Sequence, residues 1–172
     1  MHFTPAMEAF VRHWGEMGAR WGVSRSVAQI HALLYLAEEP LPAETICEVL
    51  DIARSNVSTS LRELMGYQLI DLVHVAGDRR DHFRAKQDPW DMLLAIVEER
   101  KRREIDPALA MVRSCVAQAA QDAQTPNGAA QRMQAMLALL TELDTLYVQL
   151  RALSRPTLQR AVKLGDRLVK LL

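Results

Sequence analysis

Residues 43–86 read AETICEVLDIARSNVSTSLRELMGYQLIDLVHVAGDRRDHFRAK, and this stretch decides the fold. Apolar side chains recur at helical spacing over its first eight residues, at Ile46, Cys47, Val49 and Leu50. We predict a short first helix there, which ends at Asp51 and leaves Glu44 and Glu48 facing water.

A second helix is predicted from about Arg54 to Met65. Val57, Leu61 and Leu64 recur at i, i+4 and i+7 and form one narrow apolar stripe. The opposite side carries serine, asparagine and threonine, which are mediocre helix formers but good hydrogen-bonding groups. Such a surface suits the base edges and phosphates of DNA. The DNA-binding residues expected on this helix are Arg54, Ser55, Asn56, Ser58, Thr59 and Arg62.

A hairpin with a basic tip follows the second helix. Gly66 stands where a helix end favours a left-handed residue, and residues 69–75 are rich in the aliphatic side chains of a strand. The tetrapeptide GDRR at residues 77–80 supplies a turn and two cations, and residues 81–86 return as a second strand. We expect Arg79 and Arg80 to contact the DNA backbone or the minor groove.

Two short helices, a tight turn and a hairpin are, in this order, the layout of a winged helix-turn-helix. Each feature alone has a plainer interpretation, because a polar helix face can be merely solvated and a hairpin merely a hairpin. Their combination at short separations favours DNA binding.

Four segments extend this interpretation by resemblance. They are residues 21–35 (WGVSRSVAQIHALLY), 53–61 (ARSNVSTSL), 77–83 (GDRRDHF) and 99–107 (ERKRREIDP). Together they resemble the GbsR-like branch of the MarR-type transcriptional regulators, over roughly residues 10–110. The resemblance implies a bacterial, cytoplasmic homodimer that binds an operator, and some relatives respond to choline or to osmotic conditions.

Two positions depart from the general pattern. Asp51 stands in the helix-turn-helix turn where glycine is commonest, and aspartate tolerates the left-handed conformation at a small cost. Ala53 stands where many MarR-type proteins carry a capping serine. The first turn of the second helix therefore depends on Ser55 or on phosphate oxygens to satisfy its amides.

Composition predicts a mainly α-helical protein with a small β-hairpin wing. The 172 residues are 49% hydrophobic, 24% charged and 5% aromatic, and strand-like runs are rare outside the hairpin. The formal net charge is zero, which is unusual for a DNA-binding protein. Residues 54–86, however, carry six Lys or Arg against four Asp or Glu, and residues 151–172 carry six against one.

The remaining segments are predicted to be helical. Thr4 and Pro5 start a first amphipathic helix, Ser24 caps a second, and residues 38–42 form a proline-containing linker. Asp88 and Pro89 open a long helix that must kink or restart near Pro107, and helical pattern continues to about residue 124. We therefore divide the chain into a winged helix-turn-helix domain at residues 1–87 and a helical dimerisation arm at residues 88–172.

A coiled-coil seam is predicted in residues 129–153, and it is the expected dimer contact. Its two heptad positions are occupied by Met133, Leu140 and Tyr147 and, three residues on, by Met136, Leu143 and Leu150. Leu137, Leu139 and Leu146 widen the apolar face beyond what one partner helix covers. The last segment, residues 157–172, is basic and amphipathic, and dimer packing suits it better than a membrane surface because it lacks an aromatic anchor.

The sequence gives no pattern of a catalytic or metal site. Cys47 and Cys115 are expected to be small buried hydrophobes, and His13, His31, His74 and His82 to be surface or core-edge residues. Trp14, Trp21 and Trp90 could suggest an aromatic cage for a quaternary ammonium compound, but packing roles are favoured. We expect a non-enzyme with no cofactor or metal, with no signal peptide or membrane span, and hence cytoplasmic.

The favoured function is therefore a homodimeric, sequence-specific regulator that binds a palindromic operator in double-stranded DNA. The alternative is a winged-helix module that binds protein rather than DNA, which the zero net charge supports. The operator, the regulated genes, the sign of regulation and the identity of any small-molecule effector are not encoded in a recognisable pattern.

Overall fold

The computed structural model describes residues 3–169, with side chains described up to residue 162 and at Leu164. Two compact units divide the chain, Met1–Arg100 and Lys101–Leu172. The first unit contains the helix-turn-helix and the hairpin. The predicted fold class, a mainly helical winged helix-turn-helix followed by C-terminal helices, is confirmed.

Within its described residues, the first unit contains five helices and a three-stranded sheet. The helices are α1 (Pro5–Arg20), α2 (Arg25–Leu36), α3 (Ala43–Leu50), α4 (Arg54–Gly66) and α5 (Pro89–Arg100). The strands are β1 (Leu41–Pro42), β2 (Ile70–Val73) and β3 (His82–Ala85), in the antiparallel order β1-β3-β2. Residues 41–42 were predicted to belong to a linker. Leu41 instead pairs with Phe83, so the sheet has one strand more than the hairpin.

Helix α2 is the centre of the core of this unit. Ile30, Leu33 and Leu34 are at most 1% exposed, and Ile46 of α3 and Val57 of α4 are fully buried in the same cluster. Met92, Ala95 and Ile96 of α5 pack against that cluster. Helix α5 therefore belongs to the compact winged unit, whereas the expected functional boundary at residue 87 stays a prediction.

The turn between α3 and α4 has the predicted conformation. Asp51 follows α3 with φ 52° and ψ 47°, which is the left-handed region that the turn requires. The prediction for Gly66 was wrong. Helix α4 continues through Gly66, and the residue with positive φ is Gln68, at 56°. The left-handed residue therefore lies two positions after the glycine.

The second unit consists of helical segments alone within its described part. A π-helical segment, Lys101–Ile105, leads into α6 (Asp106–Ala119), which is followed by α7 (Asn127–Ala152) and α8 (Arg155–Val169). The predicted restart near Pro107 is confirmed, because Pro107 lies in the first turn of α6. Lys101 Nζ contacts carboxylate oxygens of Asp106 at 2.5 Å and Asp144 at 3.0 Å, which links the π-helical segment to α7.

The predicted burial of two histidines and both cysteines was wrong, whereas the predicted packing role of Trp14 agrees with the structure. His31 and His82 are only 3% and 5% exposed, so both are core residues. Cys47 and Cys115 are half-buried and unpaired rather than fully buried. Trp14 stacks on Phe10 with ring centroids 5.4 Å apart, which is the packing role that the sequence favoured.

Candidate nucleic-acid interface

Helix α4 presents one polar face to solvent because its apolar stripe is anchored in the core. Val57, Leu61 and Leu64 are 0%, 3% and 1% exposed. The opposite side follows from the helical repeat. All six side chains that the sequence nominated on this helix are exposed, namely Arg54, Ser55, Asn56, Ser58, Thr59 and Arg62.

The first turn of α4 is linked to α3 by an ion pair. Arg54 Nη1 contacts Glu44 Oε1, and both side chains remain partly exposed, at 60% and 42%. The hydrogen bond from Arg54 lowers the pKa of the Glu44 carboxyl and raises the pKa of the guanidinium. Ala53 makes no side-chain cap, as its apolar side chain requires. Glu44 thus places a negative charge beside a helix start that carries a cation.

Asn56 occupies the edge of the exposed face rather than its centre. Its Nδ2 donates to Ser26 Oγ of α2 at 2.9 Å, and its Oδ1 accepts from Ser60 Oγ at 3.3 Å. Both ends of the amide are therefore engaged within the protein. One hydrogen of Nδ2 remains for a further acceptor.

Arg62 extends along α4 in the middle of the exposed face. Its Nε and Nη2 lie 3.4 Å from the carbonyl oxygen of Ser58 and from Thr59 Oγ1, respectively. These contacts are long for hydrogen bonds and lie in water, so they hold the guanidinium weakly. A stronger acceptor can displace them.

The wing positions its two arginines differently. The Arg80 guanidinium forms a fork with Asp78, with Nε 3.0 Å from both carboxylate oxygens, and the Arg80 amide also donates to Asp78 Oδ1 at 3.0 Å. These bonds keep the pKa of the Asp78 carboxyl well below its usual range. Buried His82 lies beneath this turn, with Nε2 3.4 Å from Asp78 Oδ2. Arg79 is exposed and makes no ion pair with any residue that the structure describes.

A cleft of about 410 Å³ separates α4 from the wing. Arg54, Arg62 and Arg80 contribute to its walls, and Leu61 and Phe83 to its lining. The structure therefore brings two arginines of α4 and Arg80 of the wing to one surface. No group of side chains within residues 3–169 could hold a metal ion, as far as those side chains are described.

Comparison with known proteins agrees with this architecture. Residues 21–81 match the sequence model of the MarR family. This segment, which is about a third of the chain, is therefore similar to the MarR family. A crystal structure described as a transcriptional regulator superimposes with a TM-score of 0.68 at 22% identity, over 92% of this chain and 99% of that one. The protein thus shares the fold of that structure, a winged helix-turn-helix followed by C-terminal helices, over most of both chains.

Two other solved structures are less similar to this chain. The DNA complex of MepR from Staphylococcus aureus has a TM-score of 0.39 at 17% identity, over 82% of this chain and 92% of that one. Tm0710 from Thermotoga maritima has a TM-score of 0.40 at 14% identity, over 87% and 94%. No protein of curated function matches the chain.

The six predicted dimerisation residues lie on two sides of α7. Met133, Leu140 and Tyr147 are half-buried, on the same stripe as Asp144, which binds Lys101 within this unit. Met136, Leu143 and Leu150 are exposed instead. They alternate with three other exposed leucines, so the exposed stripe consists of Met136, Leu139, Leu143, Leu146, Leu150 and Leu153. We call these six residues the outer stripe of α7.

The sequence did not indicate two residues that bind side chains of α4. Glu44 was expected to face water and Ser26 was not singled out, yet they bind Arg54 and Asn56. Each partner lies on another helix, 10 or 30 residues earlier. Only the packing of α2, α3 and α4 brings these side chains together, so no local motif could have indicated them.

Proposed function

We propose that the protein is a sequence-specific DNA-binding transcriptional regulator that acts as a homodimer on a palindromic operator. The observation that carries the proposal is the single surface that joins the polar face of α4 to Arg80 of the wing, in a segment that matches the MarR family. Arg62 and Thr59 lie at the middle of that face and are the residues that we expect to contact base edges. Arg79 and Arg80 are expected to contact phosphates or the minor groove.

Electrostatics distinguishes this proposal from the alternative, a winged-helix module that binds protein. Arginines that bind phosphates release counterions, so DNA affinity must fall steeply as salt increases. A protein interface has no such requirement. The experiment is to select bound fragments from random duplex DNA, sequence them, and titrate the best fragment at several salt concentrations. Failure to enrich any sequence, together with a salt-independent protein partner, would favour the alternative.

The outer stripe of α7 supports the homodimer. Its six side chains are 39% to 50% exposed and alternate at spacings of three and four residues, the repeat of a two-stranded coiled coil. A second copy of the same helix is an occupant with the matching repeat. A two-fold dimer would place two recognition helices about 34 Å apart, one turn of DNA. The basic last segment is proposed to add to this contact, although most of its side chains lie outside the described residues.

Regulation by a signal is proposed on resemblance alone. The segments quoted above are similar to the GbsR-like branch, some members of which respond to choline or osmotic conditions. We therefore propose a cytoplasmic regulator whose operator binding changes with a small-molecule or osmotic signal. Titration of the operator complex with choline at constant salt tests this idea, and an unchanged dissociation constant would remove choline from consideration. Among the described residues, no helix is long and apolar enough to cross a membrane.

A further inference from the structure

The ion pair between Glu44 and Arg54 lies on the surface that is proposed to bind DNA. We propose that Glu44 is an intramolecular competitor of DNA phosphate for Arg54, and that it thereby sets the overall affinity for DNA. This inference rests on the proposed function. It gives Glu44 a role on a surface where a negative charge would otherwise only repel DNA.

The position of Arg54 explains why it needs an anion. Arg54 is the first residue of α4, and the free amides of a helix N-terminus carry partial positive charge. A cation in this turn is electrostatically unfavourable, and α4 has no acidic residue in its own first turn. The preceding Ala53 offers no capping oxygen. Glu44, from the first turn of α3, supplies the missing negative charge.

A phosphate would satisfy the same groups. Helix N-termini and arginine side chains both bind phosphate oxygens. The first amides of α4 and the Arg54 guanidinium could therefore bind the same phosphate. The Arg54 side chain is 60% exposed, and its contact with Glu44 joins only one nitrogen to one oxygen. A contact of this kind at the surface is weak and exchangeable. Glu44 therefore binds the Arg54 side chain but leaves it able to exchange to another anion.

The Glu44 carboxylate and a DNA phosphate would repel each other if both bound Arg54. Glu44, Arg54, Arg62 and Arg80 line the same cleft, so a phosphate bound at Arg54 would lie close to the Glu44 carboxylate. Binding must then break the ion pair and leave Glu44 beside a second negative charge. This cost is the same for every DNA sequence. Glu44 should consequently lower affinity without changing sequence preference.

The test compares Glu44→Gln with the wild type in the full-length protein. Glu48→Gln is the matched control, because Glu48 is exposed on the same helix and its loss changes the net charge equally. Glu44→Gln should tighten binding to the operator and to random duplex alike, by roughly two- to fivefold at moderate salt. Its salt slope should steepen by about one, because Arg54 would now release a solvent counterion on binding. Glu48→Gln should leave the slope unchanged.

A second pair of variants shows whether the effect passes through Arg54. In an Arg54→Ala background, the additional change Glu44→Gln should produce no more gain than Glu48→Gln does. Weaker binding by Glu44→Gln, equal effects of the two glutamines, or a gain that persists without Arg54 would each overturn the inference. A wild type that binds operator normally keeps the proposed function intact in those cases. A wild type that binds no DNA would overturn both.

Discussion

The side-chain amide of Asn56 donates a hydrogen bond to the hydroxyl of Ser26 at 2.9 Å, which ties the recognition helix α4 to the first turn of α2. The same amide accepts from Ser60, which is only 1% exposed. Asn56 therefore bridges a partly exposed serine and a buried one. Its amide is oriented before any DNA arrives, and the proposed base contact must use the remaining hydrogen or rotate the group.

This bridge predicts unequal costs for its two partners. Asn56→Ala leaves the buried Ser60 hydroxyl without its acceptor, and should lower the free energy of unfolding by about 1–3 kcal/mol. Ser26→Ala removes only a partly exposed partner and should cost about 0.5 kcal/mol. Urea unfolding of both variants measures the difference. Ser55→Ala, on the exposed face of α4, is the control, and equal losses at positions 26 and 56 would contradict the bridge.

The contrast between helix positions and side-chain partners shows what the sequence could predict. The apolar stripe Val57, Leu61, Leu64 was sufficient to place α4 and its exposed face, because the repeat of three to four residues is local. The left-handed Asp51 followed from its position between two helical patterns. Gln68 in the same conformation could not be foreseen, because the backbone hydrogen bond from Leu69 to Leu64 closes the helix end at Gln68 rather than at Gly66. Likewise, only the folded sheet reveals that Leu41 pairs with Phe83.

Substitutions on the helix and the wing should separate base reading from backbone contact. Arg62→Ala should relax sequence preference and cost about 1–3 kcal/mol on the best operator, because a base contact discriminates between sequences. Arg79→Ala should weaken binding to all sequences about equally and reduce the salt slope by about one. Competition titrations with operator and random duplex measure both. If the two variants behave identically, the assignment of roles is wrong.

Two glycines provide a paired test of helix packing. A Cβ added at Gly18 would lie 2.5 Å from the Cβ of Ala28, so α1 and α2 would have to separate. Gly18→Ala should lower the free energy of unfolding by about 1–3 kcal/mol. Gly66, the last residue of α4, has open space at the same position. Gly66→Ala should instead raise stability by about 0.5–1 kcal/mol, because alanine loses less conformational freedom. Thermal unfolding compares the two variants, and equal destabilisation would contradict the packing.

The buried His31 predicts a loss of stability in mild acid. Burial lowers the pKa of His31 from 6.5 to about 4, and its Nε2 has no hydrogen-bond partner in the described chain. Below pH 6.5 His31 takes up a proton in the unfolded chain but stays neutral in the folded protein. Stability should therefore fall as the pH decreases from 6.5 to 4, by about 3 kcal/mol in total, and level off below.

The measurement for His31 is urea unfolding at pH 7, 5.5 and 4.5. His31→Leu should remove this part of the pH dependence, whatever its stability at pH 7. His13→Gln, at an exposed position of α1, should retain it. A His31→Leu variant with the full acid sensitivity of the wild type would show that another group is responsible.

The last prediction concerns the outer stripe of α7 and the proposed dimer. Leu143 and Leu146 are 49% and 50% exposed at its centre. Replacing both by glutamate would place like charges opposite one another in a two-fold coiled coil and would cost several kcal/mol of association free energy. The variant should sediment as a monomer and lose operator affinity, although every proposed reading residue is intact.

Val148→Glu is the control for this prediction, because Val148 is 56% exposed on α7 but lies off the outer stripe. This variant should remain dimeric and bind normally. Since α7 has no buried residue within its own chain, the double variant should keep the helical circular dichroism of the wild type. A double variant that still sediments as a dimer would place the subunit contact elsewhere. Phe10 and Trp14, stacked on α1 with Phe10 37% exposed, would then be the next residues to change.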